Sequence, residues 1–247
     1  MTKLSIIVPI YNEESHLEAS VKKLLATTYP IEREFIFVND GSTDKSGELL
    51  SQLAELFDFD LITMPNNQGK GAAIRQGLKK ISGDLVMIQD ADFEYDPNDV
   101  PALLQPILED RADVVYGSRF KHNTLQVHRT YHYFVNRFLT LLSNLLSGIY
   151  LSDMETCYKI FRSDLMKSMN LTSNRFGIEV ELTACVSKTS ARIYELPISY
   201  HPRTRMQGKK IGWKDGIAAL YHLLYFNIFR SEAKGFSQLP SKYRPNR

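Results

Sequence analysis

The sequence predicts an α/β fold, a mostly parallel sheet flanked by helices and followed by a C-terminal amphipathic helix. Three observations carry this. Short apolar runs rich in β-formers alternate with longer amphipathic stretches, the order that builds parallel strands joined by helical crossovers. The short runs are continuously apolar, as strands are when helices cover both faces of a sheet. Polar clusters follow each of the first four runs, where an open parallel sheet places its ligand crevice.

The predicted strands are Leu4–Val8, Phe35–Val38, Leu61–Met64, Leu85–Ile88 and Val114–Tyr116. Helices fall between them at Ser15–Thr27, Lys45–Phe57, Gly71–Ile81 and Asn98–Glu109. After Gly117 the rhythm changes to a polar loop, a helix over 131–150, an irregular segment at Asp153–Arg162, a helix near Ile178–Lys188 and a strand at Arg192–Pro197. Residues 1–205 read as one α/β unit. Residues 206–247 read as an amphipathic helix with a basic tail, either part of the same domain or a membrane-surface appendage.

A formal charge of +2 with 23% charged residues gives no global field for nucleic acid, although the stretch from Arg203 to Arg247 is locally basic. Cys157 and Cys185 fit neither a CxxC spacing nor a disulfide framework, which suits a reducing cytoplasm. Leu4–Ile10 is too short for a signal-peptide core, so a cytoplasmic location is expected. No run reaches the roughly 18 to 20 apolar residues that span a bilayer. In Phe134–Leu151, Asn136, Arg137, Ser143 and Asn144 interrupt the pattern and leave a stripe of Phe138, Leu141, Leu142, Leu145 and Leu146. Ile217–Phe229 is richer in aromatics and equally short of a span. Both are core helices, or both lie in a membrane interface with Leu224 and Phe226 among the contacting residues.

The stretch "VMIQDADFEYDP" places Asp90, Asp92, Glu94 and Asp96 where an apolar strand ends. Carboxylates this close repel unless a cation, basic side chains or open water separates them. In an extended segment Asp90 and Asp92 share a face, and the small Ala91 between them lets a bulky ligand approach the backbone. Mg²⁺ commonly takes one or two carboxylates together with substrate phosphates, so the pair reads as half a metal site; a solvated acidic loop is the plainer alternative. In "DGSTD", Gly41 makes a turn and the hydroxyls or Asp44 cap a helix, which leaves Asp40 to accept from a nucleobase or ribose. "GKG" opens a helix without P-loop spacing, so its amides and Lys70 either face a phosphate or begin the helix and nothing more.

The motifs "SIIVPIYNEE", "FVNDGSTD", "NQGKGAAIRQG", "IQDADFEYDP" and "YGSRF", in this order, resemble family 2 glycosyltransferases of the GT-A fold. Within that family the likeness is to polyprenyl-phosphate sugar synthases of the dolichyl-phosphate mannosyltransferase type. It runs over about residues 3–205, which would make 1–205 the catalytic domain. The resemblance implies that Pro9, Tyr11, Glu13 and Asp40 hold a nucleoside with Lys70 near it, and that Asp90, Ala91 and Asp92 organise a diphosphate. It implies a Mg²⁺ or Mn²⁺ on Asp90 and Asp92, with Glu94 where the family often has glutamine, and Arg119 on phosphate. The segment from Asp153 to Lys159 looks like the acceptor side, without the family's usual glycine and with lysine at 159 where arginine is common.

The expected reaction moves a sugar from a UDP- or GDP-sugar to a polyprenyl phosphate, by a protein peripheral to the membrane, with or without a separate anchoring partner. Arg129, Lys159, Arg203 and Arg205 are the candidates for the acceptor phosphate. A hydroxyl acceptor would instead need a base, for which Asp153 and Glu155 are available. A nucleotidyltransferase, a phosphatase with a DxD motif and a non-catalytic nucleotide-sugar sensor are the competing classes.

Overall fold

The centre of the sheet is β1 (Lys3–Ile10), paired in parallel with β2 (Glu32–Asn39) on one side and β4 (Leu85–Ile88) on the other. The computed structural model describes residues 2–92, 94–121, 130–202 and 213–245. Beyond β2 lies β3 (Asp60–Thr63); beyond β4 come β6 (Lys159–Arg162), β5 (Val114–Ser118) and β7 (Ile193–Pro197). The seven strands run in the order β3-β2-β1-β4-β6-β5-β7, and β6 is antiparallel to both neighbours while the remaining pairs are parallel. This strand replaces part of the segment expected to be irregular. Its sequence, KIFR, is short and half charged, and only the hydrogen-bonding edges of β4 and β5 on either side hold it extended.

Helices α1 (Leu17–Ala26), α2 (Ser46–Leu56), α3 (Lys70–Leu78) and α4 (Val100–Leu108) occupy the expected crossovers. They are followed by α5 (Thr130–Ser147), the short α6 (Ser163–Ser168), α7 (Gly177–Val186) and α8 (Trp213–Leu224). A π-helical turn, Tyr225–Phe229, continues α8, and α9 (Glu232–Gly235) follows. Among the described residues no helix is long and apolar enough to cross a membrane.

Every residue of α7 is buried, two glutamates included. Glu181 is wholly enclosed and accepts from the Thr172 amide at 2.8 Å, the Thr172 hydroxyl at 2.9 Å and the Ser173 amide at 2.7 Å. The Arg230 guanidinium completes its shell and also reaches the carbonyl of Asn170. The loop so fixed supports the start of α3: Ala72 donates to the Asn174 carbonyl at 3.1 Å, and Arg75 holds the Ser173 carbonyl. A Cβ at Gly71 would come within 2.1 Å of the Ser173 carbonyl, so the glycine serves this close approach. The chain after Arg230 is likewise tied down. The Ser237 amide donates to Ser168 at 2.8 Å, and the enclosed Tyr243 donates to Asp164 at 3.1 Å.

Arg230→Met would strand the buried Glu181 charge, a loss of about 3–5 kcal/mol, whereas adding Glu181→Gln to it should recover part of that loss. Urea unfolding measures both; a single variant within about 1 kcal/mol of wild type would contradict the role given to this pair.

Glu34 joins β1, β2 and the turn before β4, accepting from Lys3, the Ser5 hydroxyl and the Ser82 amide and hydroxyl, each at 2.6 Å. Burial alone would raise its carboxyl, but these donors hold it down at about 2, against an ordinary 4.5. A depressed carboxyl stabilises above its unfolded value, and that stabilisation is lost as pH falls from about 4.5 toward 2. Glu34→Gln should therefore cost about 1–2 kcal/mol at pH 7 and almost nothing at pH 2, by denaturant titration at each pH.

Candidate active site at the carboxyl edge of the sheet

The loops after β1 and β2 are stitched together. The Asn12 amide donates to Ser42 at 3.1 Å, the Thr43 amide to Asn12 Oδ1 at 2.8 Å, and the Glu13 amide to Ser46 at 2.9 Å. Asn12 adopts φ 52°, a left-handed turn that asparagine tolerates. Pro9, Tyr11 and Glu13 are half-buried along this seam. Asp40 is 2% exposed and accepts from Asn67 Nδ2 at 2.9 Å, the Gln68 amide at 2.8 Å and the Gly69 amide at 2.7 Å. Its oxygens, expected to meet a nucleoside, instead organise the loop that opens α3. The first turn of α3 is likewise covered by Ser173 and Asn174 and is no open phosphate cradle.

Lys70 is the focus of the crevice. Its ammonium lies 2.7 Å from Asp90 Oδ1 and 2.8 Å from Glu179 Oε1, with the side chain only 12% exposed. Burial alone would lower its proton affinity, but Asp90, Cys157 and Glu179 around it hold it well above the usual lysine value. Asp90 and Asp92 both remain partly exposed, and Ala91 between them is buried with its methyl in the core. Ala91 therefore contributes close packing under the loop rather than a gap for ligand. Glu94 Oε2 accepts from the Tyr200 hydroxyl at 2.6 Å. Asp90, Asp92 and Glu94 are not brought together as a ready-made metal triad; among the described residues no cluster of three metal-ligating side chains occurs. Two partly exposed carboxylates supply hard oxygen donors that fit Mg²⁺ or Mn²⁺ when a diphosphate completes the shell. Glu94, turned to Tyr200, is the member that does not join them in this structure.

Arg119 forms a bidentate pair with Asp153, Nε to Oδ2 and Nη2 to Oδ1 both at 2.7 Å, and its amide donates to the same carboxylate at 3.0 Å. Tyr200 stacks on its other side, 5.1 Å from guanidinium carbon to ring centre. Asp153 has no exposed surface, and both its oxygens are engaged. The expectation that it serves as a base is thus corrected: it aims Arg119. Glu195 in turn holds the Asp153 segment, accepting from the Ser152 amide at 2.8 Å and the Asp153 amide at 3.0 Å. Lys159 is also corrected. It is wholly enclosed on β6, donates to the Thr156 carbonyl and lies 5.2 Å from the Tyr116 ring centre, so it cannot meet an acceptor phosphate at the surface. Burial lowers its proton affinity, opposed by Glu179 and Glu155. Arg129, Arg203 and Arg205 lie outside the described residues.

Sequence reasoning missed Glu179, Tyr200 and Glu195. The signal was present: glutamates inside the apolar runs "GIEVEL" and "IYELP" stand where a core residue is expected. Burial pushes Glu155 up to about 7, helped by the nearby Glu179 carboxylate.

A family model described as glycosyl transferase family 2 matches residues 5–169. An undecaprenyl-phosphate 4-deoxy-4-formamido-L-arabinose transferase from Photorhabdus laumondii is 33% identical over 60% of this chain and 46% of its own length. A dolichyl-phosphate beta-glucosyltransferase from Trichomonas vaginalis is 29% identical over 92% of this chain and 73% of its own. A dolichol-phosphate mannosyltransferase from Pyrococcus furiosus is 24% identical, over 85% and 60%. This chain thus spans between about half and three quarters of these relatives. Among solved structures, a glucosyl-3-phosphoglycerate synthase from Mycobacterium tuberculosis, crystallised with Mn²⁺, UDP and glucosyl-3-phosphoglycerate, shares the fold. Its TM-score is 0.67 at 19% identity, over 92% of this chain and 80% of that one. With an α/β sheet of the GT-A kind and a family match across more than half its length, the chain belongs to glycosyl transferase family 2.

Proposed function

We propose that this glycosyltransferase moves a sugar, with inversion, from a nucleotide-diphosphate sugar to a polyprenyl phosphate at a membrane surface. The observation that carries the reading is the pair Asp90 and Asp92 at the end of a buried strand, with the cations Lys70 and Arg119 held beside the crevice by buried carboxylates. Pro9, Tyr11 and Glu13 belong to the nucleoside side, beside the loop that Asp40 organises. Asp90 and Asp92 would hold a Mg²⁺ or Mn²⁺, which supplies charge neutralisation for the departing diphosphate. Lys70 and Arg119, cations already retained at the crevice by the protein, add to that neutralisation. An acceptor phosphate, with second pKa near 6, is already ionised at neutral pH and needs no base. Its oxygen forms the new bond to the anomeric carbon; the bond to the diphosphate breaks and its electron pair leaves with the nucleoside diphosphate. Arg203 and Arg205 are retained as acceptor-side candidates, with Arg129.

A membrane surface suits the outer faces of α5 and α8. Phe134, Phe138, Leu141 and Leu145 on α5 are all more than half exposed, as are Ile217, Tyr221, Ile228 and Phe229 on α8 and its π-turn. The two helices pack on each other, and exposed apolar side chains recur along both. Phe226, expected on the contacting side, is only 3% exposed and stacks on His222; Phe229 and Ile228 face outward instead. Peripheral attachment of this kind requires no spanning segment.

A hydroxyl acceptor is the second reading; it needs a base, and Glu155, whose carboxyl burial and the neighbouring Glu179 push up, is the candidate for it. Glu155→Gln separates them, since it should abolish transfer to a hydroxyl and spare transfer to a phosphate.

The direct assay incubates the protein with labelled UDP- and GDP-sugars, Mn²⁺ and a polyprenyl phosphate and follows label into the lipid phase. Asp92→Asn should reduce that transfer by about 10³-fold or more with the fold intact. Near-normal turnover that still requires metal would refute the site. Flotation with anionic vesicles tests the surface. Co-flotation should weaken in high salt and fail for Phe138→Ser with Phe229→Ser, and a protein that never floats at low salt would refute it.

A further inference from the structure

Lys70 bridges two carboxylates with unequal surroundings. Asp90 is 25% exposed at the crevice, whereas Glu179 on α7 is 7% exposed and reached from inside the protein. Glu179 Oε1 takes the ammonium, and Glu179 Oε2 is buried with no hydrogen-bond partner. An unpartnered carboxylate oxygen in a dry setting is costly, and a protein keeps one where another state of the molecule satisfies it. Asp90 is also one of the two carboxylates placed to take a divalent cation. The ammonium holds Asp90 Oδ1, and a cation on the same carboxylate would repel it and draw off the negative charge that binds it, so cation binding weakens the Lys70–Asp90 contact.

We infer that Glu179 is a positioning residue of the donor site: it retains the Lys70 ammonium at the edge of the crevice when a divalent cation takes Asp90 from it. The inference rests on the proposed nucleotide-sugar reading. Without donor, Lys70 neutralises Asp90 and discourages a bare cation. When cation and diphosphate arrive together, the ammonium gives up Asp90 and moves onto both oxygens of Glu179, filling the empty Oε2, and turns its remaining N–H toward the diphosphate. Lys70 thus exchanges one anion for another without entering bulk water. Glu179 touches no substrate in this scheme; it acts through Lys70. The arrangement makes cation binding favoured by nucleotide, because the diphosphate adds to Glu179 the negative charge that Lys70 loses at Asp90.

The experiment measures Mn²⁺ affinity of the full chain by the paramagnetic resonance signal of free Mn²⁺, with and without UDP or GDP. Wild type should bind Mn²⁺ alone weakly and gain about tenfold or more when the fitting nucleoside diphosphate is present. Lys70→Met should bind Mn²⁺ alone about tenfold tighter than wild type, and Lys70→Arg should restore the weak binding. Glu179→Gln should bind Mn²⁺ alone no tighter than wild type yet lose most of the gain from nucleotide, and Glu179→Asp should recover part of it. A Glu179→Gln protein that merely melts earlier, with the nucleotide gain intact, overturns the inference. So does a Lys70→Met protein whose affinity for Mn²⁺ alone is unchanged; both results leave the glycosyltransferase reading standing. A wild type that fails to bind Mn²⁺ in the presence of UDP and of GDP overturns the donor reading and this inference together.

Discussion

Negative charge gathered at the open end of a parallel sheet has to be neutralised, and the rest of the site depends on how this chain does it. Asp90 and Asp153 are each matched with a cation held inside the protein, Lys70 and Arg119, and each pairing is aimed by a further buried carboxylate, Glu179 or Glu195. Buried ion pairs add little net stability compared with a well-packed apolar core, because desolvation offsets attraction. Their worth here is orientation. Guanidinium and ammonium groups retained at the crevice are in place before charge builds on a leaving diphosphate.

Helix α7 is where stability and chemistry meet. Two residues apart on a helix that is buried throughout, Glu179 and Glu181 serve different ends. Glu179 reaches Lys70, and Glu181 reaches Arg230 and the loop at Thr172 and Ser173. That loop packs against Gly71 and caps Ala72, so the entry to α3, and with it Lys70, is held from two directions. Arg230 follows directly on the π-turn whose outer side carries Ile228 and Phe229. The proposed membrane-facing helices and the donor crevice are therefore joined through one buried pair.

Much of this was legible in the sequence. Continuous apolar runs with amphipathic stretches between them were enough to place β1 to β5, β7 and the crossover helices to within a few residues, since burial on both faces leaves an unmistakable composition. The placement of the first four polar clusters at one sheet edge followed from topology alone. Strand β6 was not legible, because KIFR is extended only through its neighbours. At the site, residue types were readable and partners were not. Asp40, Asp153 and Lys159 have the chemistry to meet ligand, but three-dimensional packing turns them to the Asn67–Gly69 loop, to Arg119 and to the Thr156 carbonyl. Glu179 lies more than a hundred residues from Lys70 in the chain, and no local pattern announces such a contact.

The most direct test of this account is a crystal structure with a nucleoside diphosphate and Mn²⁺ bound. It should show the cation on Asp90 and Asp92, the Lys70–Asp90 contact broken, and the Lys70 ammonium between both oxygens of Glu179 and the diphosphate. Diphosphate bound with Lys70 still on Asp90, or a cation held away from Asp90 and Asp92, would contradict it.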